Sequence, residues 1–366
     1  MGFEQLVVLA GCLGVSVMVY RRLAGPSPSG ASWRGPAKAA REAEALGLLP
    51  ASRQKTLFAG PAPELEAALQ AAARGDWGPA ARLMAATRER RDWQRRHRYA
   101  VELGELAGEG DGAWLDAWEA AGPDDPDVAV VRVEATITLA WLLRGTAWAK
   151  DTTDAQIEGF LRVLPQARPQ IERAAELNPQ DPTPYISETK VALGLNYPHE
   201  AMHRVWKDIT TRAPHHYGAH LAALLYWARK WHGSEERAAS FARDAAASAP
   251  PGALLRMLPL VTWWEHHDGS GEKGSYRTPE LVAQVDAALA DVAAARPDDP
   301  DLPGARHLLA YFLTRQGRYE AALEQFRLVD GHVGAAPWAC YGDPAGMYCR
   351  WRDKAVRGAR GRGRGA

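Results

Sequence analysis

His199-Glu200-Ala201-Met202-His203 is the stretch whose residue types and spacing could do chemistry. On a helix, two histidines four residues apart share a face, where they can bind zinc while the intervening glutamate activates a metal-bound water. Eight of the eleven histidines fall between His199 and His267, which enlarges the pool of ligands. The surroundings are less favourable. Ile209 stands where a third histidine would complete the set, and the downstream carboxylates Glu235, Glu236 and Glu265 follow no supporting pattern. No serine or cysteine triad and no glycine-rich phosphate loop accompanies the motif. We therefore assign no catalytic residue, metal or other cofactor, and keep a zinc-dependent hydrolase through His199, Glu200 and His203 as the rival reading.

The elements that must position this motif read as a repeat. Pro179, Pro214 and Pro250 mark successive helix ends at spacings of 35 and 36 residues, with helix, turn and helix between them. Pro179 ends one helix, Asp181 can cap the next, and Pro182 suits a first helical position where no amide hydrogen is needed. The same Pro-x-Asp-Pro device recurs at 123–126 and 297–300. A second signature is a glycine, an aromatic two residues on and an alanine three further: Gly75, Trp77, Ala80, and again Gly317, Tyr319, Ala322. Ala201 takes the small-residue position of such a packed helix, so helix packing already explains the spacing of His199 and His203. In Trp231-His232-Gly233-Ser234-Glu235-Glu236, Gly233 can supply a left-handed helix end, Ser234 a cap, and the glutamates the acidic first turn.

These residues resemble the tetratricopeptide repeat. The best unit runs from about Pro303 to Gly334, with Leu309, Gly317, Tyr319, Ala322 and Phe326 at the family's spacing. A second unit carries Tyr185, Ala201 and Val205, with Asn196 where glycine is usual. From Trp77 through Ser234 the arrangement also resembles an uncharacterised family of actinobacterial repeat proteins, a likeness that implies a fold and no activity. The five-residue histidine motif, in turn, resembles the zinc metallopeptidase signature. The repeat resemblance implies a right-handed α-solenoid of antiparallel helix hairpins, whose concave face is lined by the first helix of each hairpin. Carried over by register, that face would bind a partner through Thr183, Ile186 and Lys190, then Leu221, Leu225 and Arg229, then His307, Tyr311 and Arg315. Mixed apolar and basic side chains of this kind suit a helical or acidic peptide.

Composition agrees with an all-α chain. The 366 residues carry 44 basic and 44 acidic side chains, so nothing in the overall charge favours nucleic acid. Valine and isoleucine are sparse, and no alternating run is bounded by hairpin turns. Trp114 and Trp118, four apart, are expected in a helix core. Cys12, Cys340 and Cys349 form no metal-binding spacing; the last two could pair, and free thiols in an aromatic cap are expected. Arg88, Arg90, Arg91, Arg95, Arg96 and Arg98 read as a solvated helix face, with an RNA-binding patch as the alternative together with the Arg-rich tail.

Residues 6–20 are uncharged and apolar, and Arg21 and Arg22 stop the run. It reads as a single-pass anchor helix at the short end for a bilayer, with the following basic residues placing the body on the cytoplasmic side; the alternative is a buried amino-terminal helix on a soluble cytoplasmic protein. The expected organisation is a membrane anchor over 1–24, a Pro/Ser/Gly-rich linker over 25–58, and a degenerate helical-repeat body over 59–268. A flexible loop over 269–278, tetratricopeptide-like hairpins over 279–334, an aromatic cap over 335–352 and a disordered Arg-Gly tail over 353–366 follow. The function expected is a non-catalytic, membrane-tethered scaffold that binds a protein or peptide.

Overall fold

The computed structural model describes residues 37–145, 152–267 and 275–362. The apolar run at 6–20 and most of the loop expected over 269–278 lie outside these. Among the described residues the chain is all helical, apart from one isolated bridge between Lys55 and His332. No helix among them is long and apolar enough to cross a membrane. They form two compact units, one from 62–241 and the other from the described parts of 1–61 and 242–366.

The unit over 62–241 holds α2 (Pro63–Ala72), α3 (Gly78–Arg90), α4 (Trp93–Glu109), α5 (Ala113–Ala121), α6 (Pro126–Arg144), α7 (Asp154–Val163), α8 (Ala167–Leu177), α9 (Thr183–Gly194), α10 (His199–Arg212) and α11 (Tyr217–Trp227). The other unit has α1 (Ala37–Glu44), α13 (Leu258–His267), α14 (Pro279–Ala294), α15 (Leu302–Gln316), α16 (Tyr319–Val329) and α17 (Pro344–Arg362), and the boundary falls within α12 (Glu235–Ser248).

Local chemistry sets the helix ends. In each Pro-x-Asp-Pro turn the aspartate accepts the amide hydrogen two residues ahead: Asp125 from Asp127, Asp181 from Thr183, Asp299 from Asp301, at 2.8–2.9 Å. This side-chain turn lets the chain reverse while proline supplies a fixed φ and no competing donor. The far ends are equally regular. Gly47, Gly75, Arg91, Asn196 and Gly317 sit at positive φ. In each case the next amide reaches back five residues, as Asp76 does to the Ala71 carbonyl, Tyr197 to Ala192 and Arg318 to Leu313. That is the Schellman closure, which needs one left-handed residue. Asn196 replaces glycine here because asparagine tolerates that conformation better than most L-residues.

Tertiary packing in the 62–241 unit turns on α4, which lies against α6, α9 and α11. Gly104 and Gly108 let the α4 and α6 backbones meet: a Cβ at Gly104 would fall 2.4 Å from the Glu134 Cβ, and one at Gly108 2.6 Å from the Ala135 carbonyl oxygen. Helix α9 is enclosed by α4, α6, α8, α10 and α11, and buries Ile186, Val191, Ala192 and Leu193. Trp114 and Trp118 are buried as expected, and Trp77 stacks on Trp118.

Three expectations are corrected. The linker assigned to 25–58 contains α1, whose Ala43 joins Leu48, Leu323 and Val356 in a buried cluster. The irregular cap assigned to 335–352 gives way at Pro344, and the disordered tail assigned to 353–366 is replaced as far as Arg362, by α17 (Pro344–Arg362), which buries Tyr348, Arg352, Asp353, Ala355 and Val356. Those positions recur at helical spacing, so an apolar stripe hidden among basic residues holds the helix down. Gly233 does not take a left-handed φ; it is needed because a Cβ would fall 1.8 Å from the Trp227 carbonyl oxygen. Ser234 does cap α12, accepting from the Arg237 amide at 3.2 Å.

Candidate functional site

The histidine motif occupies the first turn of α10, beside a cleft of about 350 Å³ lined by Tyr197, Pro198, His199, Glu200, Tyr226 and His232. Both nitrogens of His199 are engaged by the protein. Nε2 lies 2.8 Å from the His232 carbonyl oxygen, and the Arg237 guanidinium donates to Nδ1 at 2.6 Å. With Nδ1 accepting, the hydrogen resides on Nε2, and neither nitrogen is left to ligate a metal. His203 is exposed, with its ring 5.2 Å from that of Trp227. Among the described residues no group of three His, Cys, Asp or Glu side chains is placed to hold a metal ion. His232, left unassigned by sequence reasoning, bonds the Leu193 carbonyl through Nε2 at 3.0 Å; Trp231 packs edge-on against Trp141.

The nine residues expected on a concave face fare differently from one another. Thr183, Ile186, Leu225, His307 and Tyr311 are buried, so the expected face is corrected at these five positions. Ile186 packs with Val205, Ile209 and Ala219 in the core. His307 spends both ring nitrogens internally, Nε2 on the Ala59 carbonyl and Nδ1 accepting from Trp338, each at 2.9 Å. The cause lies in the packing. Helix α9 lies among α4, α6, α8, α10 and α11, with Val205 and Ile209 of α10 and Ala219 of α11 against Ile186, and α17 packs on α15. Of the remaining four, Leu221 is half-buried, and Lys190 is half-buried and pairs with Glu134 at 2.8 Å. Arg229 is exposed and Arg315 half-buried.

Arg315 leads to a cluster that the sequence pattern did not reveal. Its guanidinium carbon lies 3.8 Å from the centre of the Tyr276 ring and 5.7 Å from those of Tyr311 and Trp351. The Lys354 ammonium sits 4.7 Å from the Trp351 ring. Burial, followed by Arg315, Arg350, Arg277 and Arg357, holds the Lys354 ammonium below its usual pKa. Each charged neighbour in that set is a cation.

A second polar centre is internal. Arg96, expected on a solvated face, is wholly buried and bonds Asp127 at 2.6 Å, Asp181 at 2.5 Å and the Met84 carbonyl at 3.2 Å. Arg88 joins it on Asp127 at 3.0 Å. Nearby, His216 caps α11 by accepting from the Ala219 amide, donates to the Trp93 carbonyl, and meets the His97 ring at 5.5 Å. Burial pushes His216 and His220 down to about 4, and His97 well below its ordinary value. Cys349 is a free, buried thiol, so it does not pair with Cys340, and burial raises its pKa to about 12.

No protein-family model, curated protein or solved structure matches the chain.

Proposed function

We propose that the chain is a non-catalytic interaction scaffold, built as a right-handed, tetratricopeptide-like succession of helix hairpins that binds a protein partner. The observation that carries this reading is the recurrence of one set of local devices. The same aspartate turn at Asp125, Asp181 and Asp299, and the same left-handed closure at Gly75, Asn196 and Gly317, bound successive hairpins. A repeat built this way gains stability from neighbouring hairpins and leaves a continuous outer surface for recognition. The engagement of both His199 nitrogens weighs against a hydrolase on the same helix. In this reading the apolar run at 6–20 tethers the scaffold to a membrane, with the helical body on the cytoplasmic side.

The test is isolation of tagged full-length protein from membranes of its native host, beside an Arg229→Glu variant and an Arg315→Gln variant. Specific loss of a partner from either variant, with unchanged helicity, is the expected result. Identical partners with all three proteins would remove these positions from the recognition surface. A chain recovered only in the soluble fraction would remove the tether. Lys190 is unsuitable for this purpose, because Lys190→Glu would set a second carboxylate against buried Glu134.

A further inference from the structure

We propose that Arg277, Arg315, Arg350 and Lys354 form a preorganised site for an acidic peptide segment of a protein partner, whose Asp or Glu carboxylates these four cations bind, with Arg315 held against the Tyr276 ring and Lys354 against Trp351. The inference rests on the scaffold reading and names the chemistry of one of its ligands. The four cations come from three elements: the turn at Ser275–Arg277, the last turn of α15 and the first three turns of α17. Arg277, Arg350 and Lys354 are exposed, and Arg315 is half-buried. None of the four makes an ion pair with a carboxylate among the described residues; the nearest polar partner of Arg315 is the Tyr311 hydroxyl at 3.4 Å. This is unusual company for a protein whose total charge is balanced, since paired acids are plentiful elsewhere on the same unit, as in Arg318 with Asp286 and Arg352 with Asp353.

Geometry favours carboxylate as the ligand. The contact with the Tyr276 ring at 3.8 Å restrains the Arg315 side chain, so its N–H groups can donate to a carboxylate with little further loss of side-chain freedom. Partial burial of that guanidinium lowers the local dielectric, so an incoming anion gains more there than at a fully hydrated lysine. Burial first, and then the neighbouring Arg315, Arg350, Arg277 and Arg357, disfavour the Lys354 ammonium, and a bound anion offsets the part that comes from like charge.

The same geometry argues against the two other polyanions. Single-stranded nucleic acid needs open ring faces on which bases stack. Tyr276 and Tyr311 are 2% exposed, and Arg315 and Lys354 lie over Trp351. Anionic membrane surfaces recruit cations flanked by exposed large apolar side chains. The exposed ones here, such as Leu46, Leu57 and Leu328, include none from α17, from the 275–277 turn or from the end of α15.

The experiment uses the full chain and a fluorescein-labelled peptide of four glutamates around one phenylalanine, followed by anisotropy at low and moderate salt. Single-stranded poly(U) RNA and phosphatidylcholine vesicles containing a third phosphatidylserine are run in parallel. Binding of the acidic peptide is expected, weakened by added salt and by about tenfold or more in Arg315→Gln and in Lys354→Glu. Lys207→Glu, an exposed reversal on α10, should bind as the parent does. Peptide binding indifferent to both variants, no binding at all, or tighter variant-sensitive binding of RNA or vesicles would overturn the site. Because Lys354 is exposed, Lys354→Glu still decides the matter if Arg315→Gln fails to fold. A partner lost from Arg229→Glu, with no peptide binding here, would leave the scaffold reading standing and this site refuted.

Discussion

Arg96 and Asp181 meet as a fully enclosed ion pair, guanidinium Nε to carboxylate oxygen at 2.5 Å, across 85 residues of chain. The pair joins the start of α4 to the turn that begins α9, and Asp127 at the start of α6 shares the same guanidinium. A buried pair of this kind is worth little relative to an apolar replacement of the whole set, but removing one member leaves uncompensated charge in the interior. Arg96→Met, which leaves buried Asp181 without a guanidinium and Asp127 with Arg88 alone, should therefore destabilise the 62–241 unit by about 3–5 kcal/mol. Urea unfolding of the variant measures this, and a loss below about 1 kcal/mol would show that water reaches the aspartates.

The histidines beside this pair make stability depend on pH. In an unfolded chain each takes up a proton near pH 6.5. In the fold, burial keeps His216 and His220 neutral down to about 4. Between those values the unfolded state binds more protons, so stability is complete above about pH 6.5 and drains away as pH falls toward 4. One such histidine accounts for on the order of 3 kcal/mol across that window. Thermal melts from pH 7.5 to 4.5 should show a falling midpoint, and His220→Gln should flatten the slope. A midpoint independent of pH would mean that the ring is hydrated in solution.

Close approach of α4 and α6 gives a third expectation. A methyl group at Gly104 meets Glu134 Cβ at 2.4 Å and the Ala135 amide nitrogen at 2.9 Å, where backbone cannot give way cheaply. Gly104→Ala gains helix propensity of about 1 kcal/mol, yet overpacking costs about 1–3 kcal/mol or more. Net destabilisation is expected in denaturant titrations, whereas Gly304→Ala, which meets nothing within 4 Å, should be neutral or stabilising.

How much of this was legible depended on whether the cause was local. The Pro-x-Asp-Pro turns expected at 123–126, 179–182 and 297–300 lead directly into α6, α9 and α15. Proline, aspartate and glycine act on their own neighbours, so spacing alone located them. The location of Arg96 could not be read in that way. An arginine among five others looks solvated until the fold brings Asp127 and Asp181 to it. The expected recognition face failed at five of its nine positions for a related reason, since the helices that close around α9 are brought there by the fold. One signal was present and underused. Thr183, Pro184, Ile186, Ser187, Thr189, Val191, Ala192 and Leu193 are buried on α9, with Tyr185, Glu188 and Lys190 half-buried among them, and small and apolar character on most sides marks a helix enclosed by others. In the carboxyl-terminal region, the density of arginine and glycine concealed the stripe of Tyr348, Ala355 and Val356.

Asn196 offers the sharpest check on the repeat itself. It holds φ at +54° where Gly317 holds +77° in the best-formed hairpin, and the following amides, Tyr197 and Arg318, close onto Ala192 and Leu313 at 3.0 and 2.9 Å. If the two turns are the same device, their substitutions should follow the same order. Alanine at a left-handed position costs roughly 1–2 kcal/mol of strain, asparagine less and glycine none, although glycine also loosens the unfolded chain. Asn196→Gly should accordingly lie within about 0.5 kcal/mol of the parent, and Asn196→Ala should lose about 1 kcal/mol. Gly317→Ala should lose as much or more. Denaturant midpoints with unchanged slopes would measure all three. If Asn196→Ala proved neutral while Gly317→Ala did not, the turn after α9 would be free to rearrange, and the hairpin of α9 and α10 would no longer count as a unit of the same repeat.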